Sequence, residues 1–359
     1  MSRIDRIRLV PYRLPLRRPW TSATTRFDFR QGWLLALSAG QVTGYGDCVP
    51  LPDPDHKAPA ACRQWWRNHL PELRGADPAE LLADPHWPAE APAAVACALE
   101  SALLDLLARL DGVPLRSLLD PSPRREVPVN TMVGMLDDRT ADRIRAAERA
   151  GFRVAKLKLG QLPPAETLAR LKALTPRLTP GTRLRLDANR AWASLREVQA
   201  LLGGLEGLPV DYIEEPLRTD DPDRLRALQA ASPVPIALDE TLIELGGEST
   251  LDRLLPGAWV ILKPMQLGGL RSSPALARAA WRRGLRAVCT SVVESAAGIW
   301  NTAQLAACLD DGRGLAAQGL ATSSWLVRDI GDPPAIQTGR ITLPEVPGSG
   351  FVEAPGSTA

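Results

Sequence analysis

Six charged residues in the second half of the chain each close a short apolar run, and they recur at intervals of 24 to 31 residues. One strand with its following helix needs about this length, and the parallel strands of a closed barrel all end at one mouth. The spacing therefore predicts a (β/α)8-type barrel with ionisable side chains at its mouth. The six residues are Lys158, Asp187, Glu214, Asp239, Lys263 and Glu294.

Eight apolar segments separated by helical patterns are the predicted barrel strands. Ahead of them, two further apolar segments (8–16 and 33–39) predict strands, and leucines three and four apart predict a helix at 92–110. We therefore expect an α/β fold with an N-terminal α+β capping domain at 1–125, a barrel at 126–330 and a C-terminal segment at 331–359 that packs back on the capping domain. The predicted barrel strands are 127–133, 154–159, 184–187, 212–214, 235–239, 259–263, 285–291 and 316–321.

Charge and cysteine usage exclude several classes of protein. The 43 basic and 41 acidic residues are interspersed, so neither nucleic acid nor an anionic membrane is an expected partner, and no protein partner is predicted. No signal peptide or long apolar span is visible, so we expect a cytoplasmic protein. The five cysteines are odd in number and form no C-x-x-C pair, which predicts buried, reduced thiols.

Three of the six charged residues are consecutive carboxylates, Asp187, Glu214 and Asp239. Any one of them alone is better interpreted as a helix cap or a salt-bridge partner. Three at one barrel mouth would repel one another unless a cation lay among them. Oxygen ligands of this kind suit Mg²⁺, with Mn²⁺ as the alternative ion. The sequence therefore predicts a divalent metal site.

Lysines flank the carboxylates. Lys156 and Lys158 alternate along one strand and so share a face, and Lys263 closes a strand across the barrel. Two neighbouring ammonium groups lower each other's pKa, and a lysine with a lowered pKa can act as a base. All three histidines precede the barrel, so none can serve there. A base, an opposed cation and a metal are suited to removing a proton α to a carboxylate, which predicts a small-molecule carboxylate substrate.

Seven short motifs, in order along nearly the whole chain, resemble the enolase superfamily and within it the muconate-lactonizing-enzyme-like subgroup. The resemblance implies that Asp187, Glu214 and Asp239 bind Mg²⁺, that Lys158 takes the α-proton and that Lys263 stabilises the enediolate. The motifs are GDCVPLP at 46–52, AKLKLG at 155–160, LRLDANRAW at 184–192, IEEP at 213–216, ALDE at 237–240, LKP at 262–264 and SVVES at 291–295.

The same resemblance implies roles for residues around the metal and the two catalytic lysines. Lys156 would hold the substrate carboxylate, and Arg185 and Asn189 would support the metal ligands from behind. The polar stretch 19–29, interpreted as part of a flexible loop on a hairpin, would close over the substrate. The residues expected to bind substrate, besides Lys156, are Ser291, Glu294, Ser295, Arg26 and Arg30.

Several reactions of the subgroup remain open. The resemblance implies syn dehydration of a cyclohexadiene carboxylate that carries a succinyl chain, with racemisation of N-acylamino acids, epimerisation of dipeptides and cycloisomerisation of muconate as alternatives. Residues 319–323 lack the Asp-x-Asp pair typical of the dipeptide epimerases, and sugar-acid dehydration commonly needs a barrel histidine. A non-catalytic metabolite-binding relative would have lost carboxylates or lysines, and all of them are present.

Overall fold

Seven parallel strands form one curled sheet in the second half of the chain, neighbouring one another in sequence order. The computed structural model describes residues 3–21, 26–52, 55–88, 90–160, 162–219 and 221–355. The strands are β5 (Thr131–Met135), β6 (Val154–Lys158), β7 (Arg183–Asp187), β8 (Val210–Glu214), β9 (Ile236–Leu238), β10 (Trp259–Leu262) and β11 (Arg286–Cys289). The sheet with its crossing helices forms the predicted barrel, with seven regular strands.

The expected eighth strand at 316–321 is not a regular strand, which corrects the sequence prediction. This segment makes single parallel bridges, Gln318 to Val129 and Gly319 to Thr290, and so touches both edges of the curled sheet. A side chain at Gly319 would lie 2.7 Å from Thr290 Cγ2, so the segment runs too close to its neighbour for an ordinary strand residue. Two isolated bridges therefore close the gap between β5 and β11.

Helices cross between the strands. The predicted helix at 92–110 is confirmed, and most of its apolar residues are buried. The helices are α1 (Lys57–His69), α2 (Pro78–Ala83), α3 (Ala93–Leu110), α4 (Arg116–Leu119), α5 (Thr140–Arg149), α6 (Pro164–Leu174), α7 (Leu195–Gly203), α8 (Pro222–Ala230), α9 (Glu240–Glu244), α10 (Glu248–Leu251), α11 (Pro264–Leu267), α12 (Ser272–Arg282) and α13 (Ala296–Ala306). Short 3₁₀ turns lie at Leu70–Leu73, Thr175–Arg177 and Ser323–Trp325.

The capping domain is built on an antiparallel sheet of β1 (Arg6–Thr21), β2 (Arg26–Ala39) and β3 (Val42–Cys48). The stretch 19–29 was expected to be a loop, but most of it continues the hairpin, with Trp20 paired to Phe27. In β2, Phe27 and Phe29 are half-buried, whereas Arg26 and Asp28 are exposed. This period of two is a strand signal that the high polarity of the stretch concealed. Residues 22–25 of the expected loop lie outside the described residues.

Helix α3 packs directly against the backbone of β3. A Cβ atom on Gly46 would lie 1.9 Å from the Ala98 carbonyl oxygen, and one on Gly44 would lie 2.3 Å from the Ala102 carbonyl oxygen. Both glycines are therefore needed for the close approach of helix and strand. This contact fixes the end of β3, and the segment that follows β3 reaches the candidate site.

The C-terminal segment contacts both halves of the molecule. Strand β13 (Arg340–Thr342) pairs with β12 (Ile336–Gln337) on one side and with β4 (Glu126–Pro128) on the other, in a small antiparallel sheet. Further on, Phe351 packs edge-on against Tyr45, and Glu353 forms an ion pair with Arg8. Residues 356–359 of the predicted segment lie outside the described part of the chain.

All five cysteines are buried and free, as expected. In the described ranges, no helix is both long enough and apolar enough to cross a membrane.

Replacing Gly46 with alanine should lower the free energy of unfolding by about 1–3 kcal/mol, because the added methyl group must push α3 away from β3. Chemical denaturation of the purified variant measures the change. Gly203→Ala is the matched control, since that helical glycine has open space around its Cβ position and alanine is the better helix former. Equal stability of Gly46→Ala and the unmodified protein would contradict the packing described here.

Candidate active site

A cavity of about 520 Å³ opens at the C-terminal ends of the barrel strands, between the barrel and the capping domain. This volume suits a small metabolite. Ionisable side chains at the ends of five successive strands, β6 to β10, and in the segments that follow them line one part of it. They are Lys156, Lys158, Asp187, Arg190, Glu214, Arg218, Asp239, Glu240, Glu244 and Lys263.

Lys156 lies between two of the predicted metal ligands. Its Nζ donates to both carboxylate oxygens of Glu214, at 2.7 and 2.6 Å, and lies 3.0 Å from Asp187 Oδ2. Burial opposes the charge of Lys156, but Asp187 and Glu214 outweigh burial and hold its pKa well above the ordinary value. Lys156 is therefore a charged ammonium. The sequence predicted that each lysine lowers the other's pKa, but only the pKa of Lys158 is lowered.

Burial and neighbouring charges shift the pKa values of Glu214 and Asp187 in opposite directions. Burial, reinforced by the negative charge of Asp187, raises the pKa of Glu214. For Asp187, burial opposes ionisation, but Lys156 and Lys158 outweigh it and lower the pKa. The lysine ammonium groups therefore hold Asp187 ionised, whereas burial and the charge of Asp187 favour the neutral form of Glu214 in spite of its contact with Lys156.

Within the described ranges, no group of three or more acidic, cysteine or histidine side chains is arranged to hold a metal ion. The donors nevertheless fit one, because Asp187, Glu214 and Asp239 all line the same cavity and carboxylate oxygens are the ligands Mg²⁺ prefers. Asp239 Oδ1 is buried without a hydrogen-bond partner among the described residues. Such an atom is costly unless a cation or donor reaches it.

Lys158 and Lys263 approach the cavity from different strands. Lys158 ends β6, and Lys263 follows β10 and forms a close ion pair with Asp239. Burial lowers the pKa of Lys158, and the charges of Lys156 and Lys263 act in the same direction while Asp187 opposes them. A lysine with a lowered pKa is the better candidate for a neutral amine that accepts a proton.

Asn189 contacts the carboxylate Asp187, whereas Arg185 forms its hydrogen bonds deeper in the barrel. The backbone amide of Asn189 donates to Asp187 Oδ1 at 3.1 Å, and Asn189 itself lines the cavity. Arg185 precedes Asp187 by two residues on β7 and so lies on the same face, one layer deeper in the barrel. There it donates to Asn130 Oδ1 and the Ala317 carbonyl oxygen. Arg185 thus ties β7 to the segment that closes the barrel.

Glu215 is a site residue to which sequence reasoning gave no role. Its Oε1 accepts from the amides of Asp239 and Thr241 at 2.9 Å each, and its Oε2 accepts from Thr241 Oγ1 and Arg190. One buried carboxylate therefore fixes the backbone of the predicted ligand Asp239. Its position directly after Glu214, with a proline following, was the available signal.

Aromatic and aliphatic side chains line another part of the cavity. Trp20 packs edge-on against Phe27 and Trp325, with ring centroids 4.9 and 5.9 Å away. Lys158 Nζ lies 5.9 Å from the centre of the Trp20 ring, within range of a cation–π contact. The remaining apolar lining residues include Leu51, Met132, Val292 and Val293. An apolar ring would find contact surface here, directly beside the candidate base.

Of the residues expected to bind substrate, some line the cavity and others do not. Ser291 lines the cavity and hydrogen-bonds Thr322 Oγ1 at 2.7 Å. Glu294 and Ser295 are buried behind it. Arg30 is only 1% exposed and donates to the backbone carbonyl oxygens of Val293 and Val49, while Arg26 is exposed on β2. Neither arginine lines the cavity.

A family model described as "Enolase C-terminal domain-like" matches residues 139–353. The match covers more than half of the chain, so the chain belongs to the enolase superfamily. Members of this superfamily are enzymes and generally use Mg²⁺.

Curated relatives with several activities are similar to the chain. It is 26% identical to a chloromuconate cycloisomerase of Cupriavidus pinatubonensis (94% of this chain, 93% of that one). It is 29% identical to a hydrophobic dipeptide epimerase of Roseobacter litoralis (79% and 82%) and 31% identical to an o-succinylbenzoate synthase of Desulfotalea psychrophila (76% and 73%). These relatives catalyse different reactions, so sequence similarity alone does not identify the reaction of this chain.

Among solved structures, the N-succinyl Arg/Lys racemase of Bacillus cereus has the same fold. The TM-score is 0.86, and the match covers 100% of this chain and 97% of that one at 22% identity. At this identity the likeness concerns the fold alone.

Removing the Lys156 ammonium should destabilise the protein in the absence of divalent metal. Lys156→Met leaves Asp187 and Glu214 buried side by side without their shared cation, at a cost of about 3–5 kcal/mol in the free energy of unfolding. Denaturant titration in the presence of a chelator measures it. The exposed Lys172→Met on α6 is the control and should stay within about 0.5 kcal/mol of the unmodified protein. A Lys156→Met protein as stable as that control would refute the charge pairing.

Proposed function

We propose that this chain is an o-succinylbenzoate synthase. It would dehydrate 2-succinyl-6-hydroxy-2,4-cyclohexadiene-1-carboxylate to 2-succinylbenzoate, a step of menaquinone synthesis. The observation that carries the proposal is the placement of Lys158 and Lys263 at the ends of separate strands around one cavity that also contains Asp187, Glu214 and Asp239. That set is suited to removing a proton α to a carboxylate.

Asp187, Glu214 and Asp239 are the proposed Mg²⁺ ligands. Mg²⁺ bound there would supply positive charge to the substrate carboxylate as the α-proton leaves. Lys156 contacts both Asp187 and Glu214, so its ammonium would have to turn away from Glu214, toward the substrate carboxylate. Glu215 keeps the Asp239 backbone in place during this exchange.

Lys158 is the proposed base and, in the second step, the proposed acid. As a neutral amine its Nζ takes the α-proton, and the electrons of the C–H bond pass into the substrate carboxylate to give an enediolate. The C–O bond to the ring hydroxyl then breaks, and the Lys158 ammonium returns the proton to the departing oxygen. The products are water and an aromatic ring, and Lys158 is again neutral.

Lys263 is the proposed electrostatic partner. Its ammonium, held by Asp239, would face the ring as negative charge develops there. The aromatic surface of Trp20, Phe27 and Trp325 supports a ring-shaped substrate. The cavity residues Gly319, Ala321 and Thr322 are uncharged, which disfavours a substrate ammonium at this wall and therefore dipeptide epimerisation.

Racemisation of N-acylamino acids is the second candidate. The observation in its favour is that Lys158 and Lys263 belong to different strands, so one lysine could remove the α-proton and the other deliver a proton to the opposite face. A metabolite-binding relative without activity is the alternative from another class. The products formed separate these three functions.

Purified protein with Mg²⁺ should aromatise the succinyl-hydroxycyclohexadiene carboxylate, a reaction followed by ultraviolet absorbance. Lys158→Ala and Lys263→Ala should each reduce kcat by about 10²–10⁴-fold, because the base or the opposed charge is lost. Lys172→Ala, on the exposed side of α6, should leave kcat unchanged.

Absence of aromatisation, combined with deuterium incorporation into N-succinylamino acids in heavy water, would overturn the synthase in favour of the racemase. Absence of both reactions would favour the non-catalytic relative.

A further inference from the structure

The turn formed by residues 291–295, called here the 291–295 turn, follows β11 and contributes Val292 and Val293 to the cavity wall. Val293 has φ of 64°. A β-branched residue rarely adopts this left-handed conformation, and it persists only where the surroundings enforce it. The shape of this part of the cavity therefore depends on what holds the turn.

Two contacts within the turn hold part of it. Ser291 Oγ accepts from the Val293 amide at 2.8 Å, and Glu294 Oε2 accepts from the Val292 amide at 3.0 Å. The Val293 carbonyl oxygen and the Ser295 amide have their partners elsewhere, in the capping domain.

Arg30 of β2 holds the centre of the turn. Its Nε donates to the Val293 carbonyl oxygen at 3.2 Å, and its Nη2 donates to the Val49 carbonyl oxygen at 3.1 Å. Val49 belongs to the segment after β3 that brings Leu51 and Pro52 to the cavity. One buried guanidinium therefore fixes two parts of the cavity wall relative to each other.

Asp47 of β3 holds the end of the turn. Its Oδ2 accepts from the Ser295 amide at 2.9 Å and from Ser295 Oγ at 2.8 Å, and its Oδ1 accepts from Tyr12 OH at 2.5 Å. A Cβ atom on Gly298 would lie 2.7 Å from Asp47 Oδ2. The first turn of α13 thus carries a glycine where the carboxylate of the capping domain enters.

We propose that Arg30 and Asp47 are positioning residues of the active site: acting across the boundary between capping domain and barrel, they hold the strained 291–295 turn in the shape that receives substrate. Neither residue touches the substrate. Their loss lets the turn relax and so weakens substrate binding more than it slows the chemical step. The kinetic part of this inference rests on the proposed function, whereas the structural part does not.

The test compares Arg30→Met and Asp47→Asn with two control variants of equally buried groups away from the cavity. Arg116, 3% exposed, donates to Gln304 and the Pro344 carbonyl oxygen. Asp105, fully buried, accepts from the amides of Tyr45 and Ser349. Arg116 also pairs with Glu345, and Asp105 with Arg109, so Arg116→Met and Asp105→Asn remove at least as many polar contacts and leave the 291–295 turn intact.

In steady-state assays with Mg²⁺, Arg30→Met and Asp47→Asn should raise KM about tenfold with kcat within about threefold, the pattern for lost binding that is uniform along the reaction. The control variants should lower the melting temperature and leave KM unchanged. Arg30→Lys, which keeps the charge and one donor, should fall between. Equal KM values in all variants would overturn the inference.

Hydrogen–deuterium exchange of the peptide that covers the 291–295 turn gives a readout independent of activity. Exchange should be faster in Arg30→Met and Asp47→Asn than in either control variant. If Arg30→Met or Asp47→Asn does not fold, Arg30→Lys and Ser295→Ala provide the milder comparison. Unchanged exchange overturns the positioning role even in an active enzyme. If the unmodified protein turns over none of the substrates, but exchange in Arg30→Met and Asp47→Asn is still faster than in the control variants, only the proposed function is overturned.

Discussion

The arrangement of this molecule depends on the compensation of buried charge at the barrel mouth. Asp187, Glu214 and Asp239 are each at most 4% exposed, and burial alone would drive carboxylates toward the neutral form. Lys156 and Lys263 supply the opposing charge through direct ion pairs. Because each group needs its neighbour, the strand ends must hold their register. The parallel pairing of Lys158 with Asp187 and of Asp187 with Glu214 maintains it.

Strained backbone collects around the same mouth. Asn189, Arg190, Glu215 and Val293 all have positive φ, and each follows the end of a barrel strand. Such residues cost about 1–3 kcal/mol each and are kept where a site needs them. Here the strain is held by buried side chains that the cavity does not expose: Glu215 fixes the Asp239 backbone, and Arg30 fixes the Val293 carbonyl group. Buried side chains that do not line the cavity, Glu215 and Arg30, therefore hold the backbone of residues that do.

The sequence indicated the barrel and its charged mouth because these follow from local periodicity. Apolar runs ended by Asp187 or Glu214 need no tertiary information to be recognised. The eighth segment was beyond such reasoning, since Gln318 and Gly319 join the barrel through single bridges rather than through a patterned strand. Arg30 was expected at the substrate, but its buried position depends on the packing of two domains.

The pairing of Lys156 with two carboxylates was likewise hidden from the sequence. Strand periodicity puts Lys156 and Lys158 on one face, but it does not say which partner each ammonium meets. In the fold, Lys156 is paired with Asp187 and Glu214, while Lys158 lies beside the Trp20 ring. Two chemically identical side chains two residues apart therefore have opposite pKa shifts. Only the three-dimensional placement of charge and aromatic surface separates their roles.

A crystal structure determined at saturating Mg²⁺ tests the proposed metal site most directly. One Mg²⁺ is expected at about 2.0–2.1 Å from an oxygen of each of Asp187, Glu214 and Asp239, with the Lys156 ammonium moved away from Glu214. A structure in which Lys156 still bridges Asp187 and Glu214, with no ion among the three carboxylates, would contradict it.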